Sequence, residues 1–217
     1  ALAGRGLRLA LVEAHVPNAD SQPSYDDRAI ALAYGTRRIF EALDVWPALA
    51  DIAEPIREIH VSDRGHFGAT RLKADEEGVP ALGNVVTARG LGRVLLDRVH
   101  ADPSIEVIAP ARVVDFLDQG DRVAVEIEQS GVMTSLDCRL LVAADGGNST
   151  IRERLDVPVQ RWRYDQSAVV ANITPSKPHA NVAYERFTSS GPVALLPMQE
   201  QRCALVWTVH QNDVDEI

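Results

Sequence analysis

Near the middle of the chain, an apolar run leads into a polar turn whose residues can bind an anionic group. Residues 140–144 have the length and composition of a buried parallel strand. Asp145 and Gly146 follow, and glycine tolerates the positive φ that a tight turn requires. Asn148 or Ser149 can then cap a helix. A strand, a glycine turn and a helix N-terminus expose free N–H groups, so the pattern indicates an anion site, although an ordinary strand-to-helix connection looks the same.

A second candidate for ligand binding is an acidic residue near the N-terminus. Residues 7–12 indicate a buried strand that ends at Glu13, where dinucleotide-binding folds bind a ribose hydroxyl. The Gly-x-Gly-x-x-Gly fingerprint of such folds lies about 20 residues earlier, which would be upstream of Ala1. We therefore expect residues 1–6 to be the last turn of a crossover helix with its glycine stop. Taken alone, Glu13 is as readily a solvated strand end.

Two arginines lie at the starts of predicted helices. A polar loop over 18–27 is predicted to lead into a helix that starts within 26–32 and continues to Leu43, with acidic residues in its first turn and Arg28 near its start. A second short helix is predicted over 43–50, and a third begins at Arg89. The apolar residues at helical spacing on the first and third helices are Ile30, Ala33, Ile39, Leu43, Leu91, Leu95 and Val99.

Most of the remaining segments read as strands separated by turns. Strands are predicted over 56–61, 68–72 and 105–109. Residues 79–87 are predicted to lead the chain back toward the N-terminal region. A three-stranded antiparallel meander is predicted over 112–136 and four consecutive strands over 164–209.

These elements predict an α/β (α+β) fold with two interleaved domains. One is a partial Rossmann-like parallel sheet with a β-meander, formed by residues 1–53 and 90–160. The other is a mostly antiparallel sheet formed by residues 54–89 and 161–217.

The composition excludes several classes of protein. The 217 residues carry a net charge of −9, which argues against a general nucleic-acid binder. No apolar run has the ~20 residues of a membrane span. The two cysteines, Cys138 and Cys203, are too few for a disulfide framework, and no His/Cys spacing predicts a metal site. We expect a cytoplasmic protein, with peripheral contact at the inner membrane left open.

The residues Asp145, Gly146, Ser149 and Arg152 resemble the Asp-Gly motif of the flavin-dependent aromatic hydroxylases, the class A monooxygenases. In that family the motif lies near the flavin pyrophosphate. The resemblance implies that Arg28 and Arg89 contact the flavin as well. The flavin-binding set that it implies consists of Glu13, Arg28, Arg89, Val114, Asp145, Gly146, Ser149 and Arg152.

A narrower resemblance covers essentially the whole chain and is to the ubiquinone-biosynthesis branch of that family. It rests on residues 27–32, the Asp-Gly stretch, and residues 185–188 with the Gly-Pro and Leu-Leu-Pro-Met that follow. Residues 60–66 resemble the branch that acts on a polyprenylated methoxyphenol. The glycine fingerprint and the family's later Gly-Asp motif do not occur in the sequence, so the chain resembles the middle of such an enzyme.

The resemblance implies an FAD-dependent monooxygenase that takes electrons from NADH or NADPH and hydroxylates an electron-rich phenol with O2. The resemblance does not identify a catalytic acid or base. His60 and His66 are the candidates, and the alternative is that each is a solvated histidine of a polar turn. Arg186 and Phe187 are candidates for the substrate side, with a structural role the more common alternative.

Three alternatives stay open. The chain could hydroxylate another aromatic substrate, or be a nicotinamide dehydrogenase with Glu13 on the ribose, against which the antiparallel sheets and the Asp-Gly motif argue. It could also be a non-catalytic interaction module within a complex of ubiquinone-biosynthesis proteins. For the 217 residues by themselves we expect weak FAD binding, no turnover and self-association through unpaired strand edges.

Overall fold

The computed structural model describes residues 2–16 and 26–216. Contacts divide the chain into two compact units, one containing residues 3–16 and 103–164 and the other containing residues 26–102 and 165–216. The predicted polar loop over 18–27 lies mostly outside the described residues.

The elements follow one another along the chain with strands in the majority. The helices are α1 (Tyr34–Ala42), α2 (Trp46–Ala50), α3 (Ala88–His100) and α4 (Thr150–Arg154), with a final 3-10 helix at Gln211–Glu216. The strands are β1 (Leu9–Val12), β2 (Ala29–Ala33), β3 (Glu54–Ile56), β4 (Glu58–Asp63), β5 (Ala69–Lys73), β6 (Gly83–Thr87), β7 (Ile105–Ile108), β8 (Arg112–Asp118), β9 (Val123–Gln129), β10 (Val132–Cys138), β11 (Gln166–Ile173), β12 (Val182–Thr188), β13 (Gly191–Met198) and β14 (Arg202–His210).

The smaller unit contains two sheets and one short helix. Strands β1 and β7 form a parallel pair, and β8, β9 and β10 form the predicted antiparallel meander. Val125 and Ile127, two residues apart on β9, are both buried, which is the period expected of a strand with one solvated face. The meander prediction is confirmed.

The larger unit is built on a six-stranded sheet with the order β11-β14-β13-β12-β4-β5. All neighbours are antiparallel except β12 and β4, which run parallel. The four strands predicted over 164–209 are confirmed as β11 to β14, and each is separated from the next by a turn.

A second sheet of this unit, β2-β6-β3, lies between the six-stranded sheet and the helices. Its central strand β6 buries Val85 in a cluster with residues of the large sheet and Val86 in a cluster with α2. Gly83 is required at the start of β6, because a Cβ there would lie 2.9 Å from the carbonyl oxygen of Leu32.

The start of the helix predicted from 26–32 to Leu43 is wrong, because residues Ala29–Ala33 form strand β2. This strand pairs with β6 from Ala29 opposite Thr87 to Ala33 opposite Gly83. It buries Leu32 against Val86. The long-range pairing overrides the helix propensity of the alanines, and α1 starts only at Tyr34.

Two predicted buried strands are also corrected. Residues 140–144 are not a strand: among the described residues none pairs with them, and Leu140 and Val142 are 73% and 65% exposed. An apolar run becomes a strand only where a neighbour accepts its backbone hydrogen bonds. Strand β1 does form, but Leu11 stays exposed, so the strand is not buried as predicted.

The single strand predicted over 56–61 is wrong as well, because it is two strands in different sheets. Both Arg57 and Glu58 donate their N–H groups to the carbonyl of Asn181, at 2.8 and 3.3 Å. The chain therefore leaves the small sheet after Ile56 and enters the large one at Glu58.

The division by contacts differs from the predicted domain division over three segments. Residues 161–164 belong to the smaller unit, whereas the sequence assigns them to the substrate sheet. Residues 26–53 and 90–102 belong to the unit of the six-stranded sheet, whereas the sequence assigns them to the flavin side. The functional division stays a prediction. Among the described residues, no helix is long and apolar enough to cross a membrane.

Candidate functional site

The Asp-Gly stretch forms a network that caps helix α4. Gly146 adopts a φ of +80°, as the predicted turn requires. The Ser149 hydroxyl accepts a hydrogen bond from the Arg152 N–H at 3.0 Å, which is the N-cap geometry. The Asp145 carboxylate accepts from the N–H groups of Thr150 at 2.9 Å and Ile151 at 3.4 Å.

This network determines the charge of Asp145. Its pKa lies below the ordinary value of 3.8, first because the Ser149 hydroxyl donates to the carboxylate and also because of the backbone N–H groups. The Arg152 guanidinium donates to the Gly147 carbonyl at 2.8 Å. Asp145 thus already occupies N–H groups that were expected to bind an anion, and the motif acts as an internal cap.

Glu13 continues the parallel pair of β1 and β7 beyond its last strand residue. Its N–H donates to the carbonyl of Ile108 at 3.1 Å, and its own carbonyl accepts from Ala111 at 2.8 Å. Its carboxylate accepts from the N–H of His15 at 3.0 Å. The side chain lies at the strand end, where the sequence predicted it.

Val114 lies at an irregularity of strand β8. The register with β9 shifts between Val113 and Asp115, so Val114 has no partner opposite. Arg154 of α4 forms an ion pair with Asp115 beside it. A bulge of this kind leaves the backbone of its extra residue free of the ladder.

Arg28 and Arg89 lie together in the larger unit, although they are distant in sequence. The Arg28 Nε lies 2.6 Å from an oxygen of Asp26, and the Arg89 Nε lies 3.4 Å from an oxygen of Asp27. The backbones are joined as well: the Arg28 carbonyl accepts from Ala88, and the Asp26 carbonyl accepts from Arg89, each at 2.9 Å. The result is a compact charge cluster at the start of α3.

Asn172 is a contributor to this cluster that sequence reasoning missed. Its side-chain amide on β11 donates to the carbonyl of Asp27 at 2.8 Å. The one signal was an amide in the otherwise apolar stretch 168–173. That signal does not identify a partner 145 positions away.

The two histidine candidates lie at the surface of the large sheet. His66 Nδ1 is 2.9 Å from Asp63 Oδ2, and both side chains are mostly exposed. The ring of His60 packs against that of Tyr184, with centroids 5.5 Å apart. His60 lies on the opposite face from its neighbour Ile59, which packs into the buried core. Neither arrangement provides a buried acid or base.

The predicted flavin-binding set is distributed over both units. Glu13, Val114 and the Asp-Gly residues belong to the smaller unit, whereas Arg28 and Arg89 belong to the larger one. Within each unit these residues lie at strand ends or helix starts.

A comparison with known families decides the class of the chain. A family model described as the FAD binding domain matches residues 1–216. The chain belongs to this FAD-binding domain family. The α/β fold predicted from sequence is the fold of this family.

Similar proteins of known name are found among ubiquinone hydroxylases. The ubiquinone hydroxylase UbiL of Rhodospirillum rubrum is 30% identical over 213 residues, which are 96% of this chain and 48% of that protein. The 3-demethoxyubiquinol 3-hydroxylase of Escherichia coli is 27% identical over 214 residues, 95% of this chain and 52% of that protein. The chain thus spans about half the length of the curated relatives it matches.

Solved structures show the same fold. PqsL from Pseudomonas aeruginosa, in complex with 2-aminobenzoylacetate, superposes with a TM-score of 0.80 at 20% identity, covering 98% of this chain and 57% of PqsL. The p-nitrophenol 4-monooxygenase PnpA from Pseudomonas putida gives a TM-score of 0.79 at 13% identity, and the match covers 98% of this chain and 55% of PnpA.

Proposed function

We propose that the protein containing this chain is an FAD-dependent aromatic hydroxylase of ubiquinone biosynthesis. It uses NADH or NADPH and O2, and its substrate is a polyprenylated methoxyphenol of the 2-octaprenyl-6-methoxyphenol class. The observation that carries this proposal is the match of the FAD binding domain family to residues 1–216. The names of the relatives support a hydroxylase of ubiquinone biosynthesis. The choice of a methoxyphenol as the substrate rests on the resemblance of residues 60–66.

The charge cluster fits the diphosphate of FAD. Arg28 provides one guanidinium group from the loop before β2, and Arg89 provides a second from the first turn of α3. The Arg28 side chain is 61% exposed. A guanidinium donates planar, charge-assisted hydrogen bonds to phosphate oxygens. Asp26 and Asp27 hold these groups in place until an anion competes for them. Glu13, at the end of β1, fits the ribose hydroxyls of the same cofactor.

The proposal assigns separate roles to the two sequence regions. Residues 1–53 and 90–160 bind the flavin, and residues 54–89 and 161–217 form the sheet that faces the substrate. When bound, the flavin supplies the activation of O2 and the transfer of one oxygen atom to the ring. The protein binds and orients the phenol and excludes water. The partners are the phenol and other ubiquinone-biosynthesis proteins, at a cytoplasmic site peripheral to the inner membrane.

The test uses the longest encoded protein that contains these residues. After excess FAD is added and removed on a desalting column, we expect about one flavin per protein. NADH or NADPH oxidation should then rise when a prenylated methoxyphenol is added, and the product should contain one additional oxygen atom by mass spectrometry.

Other outcomes identify the rival functions. Hydroxylation of a different aromatic compound would keep the flavin chemistry and change the substrate. A colourless protein that oxidises no reduced nicotinamide but is recovered with ubiquinone-biosynthesis proteins would favour the interaction module and overturn the proposed hydroxylase.

A further inference from the structure

The six-stranded sheet has a half-buried carboxylate, Glu185, on the face that also contacts the Arg28 loop. Cross-strand pairs place Val61, Glu185, Ala194, Val206 and Val170 in one row, because residues opposite each other in register point to the same face. We call this row, together with Phe187, the inner shelf. Glu185 is its only charged member.

The direction of the inner shelf is fixed by its neighbours. Ala183, two residues before Glu185, is buried in the cluster that includes Val85 of the small sheet. Asn172, two residues after Val170, donates to the Asp27 carbonyl beside Arg28. Residues two apart on a strand share a face, so Glu185 faces the same side as the arginines that fit the flavin.

The inner shelf remains accessible beyond the part that the small sheet covers. Val170 and Phe187 are 45% and 47% exposed, and Glu185 itself is half-buried. Glu185 has no hydrogen bond or ion pair to any residue in the ranges 2–16 and 26–216. By strand register, the nearest other charged residue on this face is Asp63, which lies opposite Phe187. Asp63 is paired with His66.

We propose that Glu185 is a catalytic residue that binds the phenolic O–H of the substrate on the inner shelf and accepts its proton. This inference rests on the proposed function. The shelf buries the apolar ring, and the carboxylate accepts a charge-assisted hydrogen bond from the neutral phenol.

The proton transfer explains what a carboxylate contributes to hydroxylation. The phenolic O–H bond breaks, the proton moves to Glu185, and the electron pair stays on the phenolic oxygen. Electron density then rises at the ortho and para ring carbons, where a bound flavin would supply the oxygen atom. When the ring loses its own proton to water and regains aromaticity, Glu185 returns its proton to the original phenolic oxygen and is ionised again.

The experiment is a cycle that pairs one protein substitution with one ligand substitution. The probes are 2-methoxy-6-prenylphenol and its methyl ether, which lacks the O–H donor. Isothermal titration calorimetry measures both dissociation constants for the longest encoded protein, with and without FAD. A hydrogen bond to a charged group predicts about 10- to 100-fold tighter binding of the phenol.

Glu185→Gln should reduce this preference by about tenfold, and Glu185→Asp should restore part of it. The matched control is Glu58→Gln, since Glu58 lies on β4 of the same sheet on the opposite face and is paired with Arg71. An unchanged preference in Glu185→Gln would overturn the role of Glu185. If that variant does not fold, the Asp variant is decisive, because an unchanged preference there, with the carboxylate displaced, overturns the role equally.

The same data separate this inference from the hydroxylase proposal. A protein that holds FAD and forms the hydroxylated product, but shows no Glu185-dependent preference, retains the proposed function and loses this residue. A protein that shows the preference and holds no flavin keeps Glu185 as a phenol-binding residue and loses the hydroxylase.

Discussion

The side-chain amide of Asn172 donates a hydrogen bond of 2.8 Å to the backbone carbonyl of Asp27. This contact joins an edge strand of the six-stranded sheet to the loop that carries Arg28. Asp27 also pairs with Arg89. The Asn172 amide therefore positions a residue that adjoins Arg28 and pairs with Arg89. We infer that the sheet proposed to face the substrate and the residues proposed to bind the flavin are mechanically connected.

Replacing Asn172 with alanine should therefore weaken flavin binding without removing a flavin contact. A neutral hydrogen bond contributes about 0.5–1.5 kcal/mol, which corresponds to a loss of up to about tenfold in FAD affinity. Fluorescence titration of FAD into the longest encoded protein measures this. Ser167→Ala, on the opposite face of β11, is the control, and equal losses in both variants would contradict the positioning role.

Replacing Arg28 with alanine should have a larger effect. A charge-assisted hydrogen bond is worth about 1.5–3 kcal/mol, so flavin retention should fall by about one to two decades. The readout is the flavin-to-protein absorbance ratio after desalting. Arg71→Ala removes another exposed arginine that pairs with Glu58 on the large sheet and should leave the ratio unchanged. Full flavin content in Arg28→Ala would remove Arg28 from the site.

The cap formed by Asp145 should make stability depend on pH. Its pKa is lower in the folded chain than the ordinary value of 3.8, so the unfolded chain binds more protons in that range and stability rises with pH. Asp145→Asn should lower the Tm at neutral pH. The difference from wild type should vanish as the pH falls below about 3.8 through the folded pKa.

Circular dichroism melts between about pH 7 and pH 3 follow this difference. Asp156→Asn, just beyond α4 and exposed, serves as the control and should behave like wild type at every pH. A difference in Tm between Asp145→Asn and wild type that stays constant across this pH range would show that the charge of the carboxylate does not stabilise the cap.

His179 should be important for stability, because it is buried with both ring nitrogens occupied. Its Nε2 contacts the Met198 carbonyl at 3.1 Å, and its Nδ1 accepts from the Asn181 N–H at 3.0 Å. His179→Leu leaves two buried polar groups unsatisfied, at about 1–3 kcal/mol each. Urea unfolding measures the loss. His66→Leu, at an exposed surface pair, should cost less than about 1 kcal/mol, and similar costs for both would refute this account.

The chain of 217 residues by itself should retain little FAD. Its sequence contains no Gly-x-Gly-x-x-Gly run, and the N–H groups of Thr150 and Ile151 already bind Asp145. Desalting after FAD addition should leave the protein colourless, while a longer protein that includes a glycine loop becomes yellow. A near-stoichiometric yellow fraction from the short chain would contradict the prediction.

The sequence predicted those elements whose signals are local. Strands β11 to β14 are apolar stretches separated by turn residues, and Ser149 does cap α4. Two segments whose structure depends on distant partners were assigned wrongly. Residues 29–33 become a strand only because β6 lies beside them, and residues 140–144 stay unpaired although their composition is that of a strand.

The candidate site shows the same limit. The resemblance to the flavin-dependent hydroxylases identified Arg28, Arg89 and the Asp-Gly motif as candidates. They did not predict that Asp26 and Asp27 pair with the two arginines, or that Asn172 holds their loop. Those contacts depend on how the loop packs against α3 and β11, and no spacing in the sequence encodes that geometry.

The parallel pairing of β4 with β12 has a consequence for the order in which the chain folds. Each pair in this ladder joins residues 124 positions apart, as for Ser62 and Arg186. The β4–β5 hairpin can form early, but it has no sheet to join until β12 has been synthesised. Contacts this distant slow folding, so a newly made chain exposes the hairpin edge for many seconds at about 5–20 residues per second of synthesis. Chaperone binding to nascent chains should be strongest in that interval.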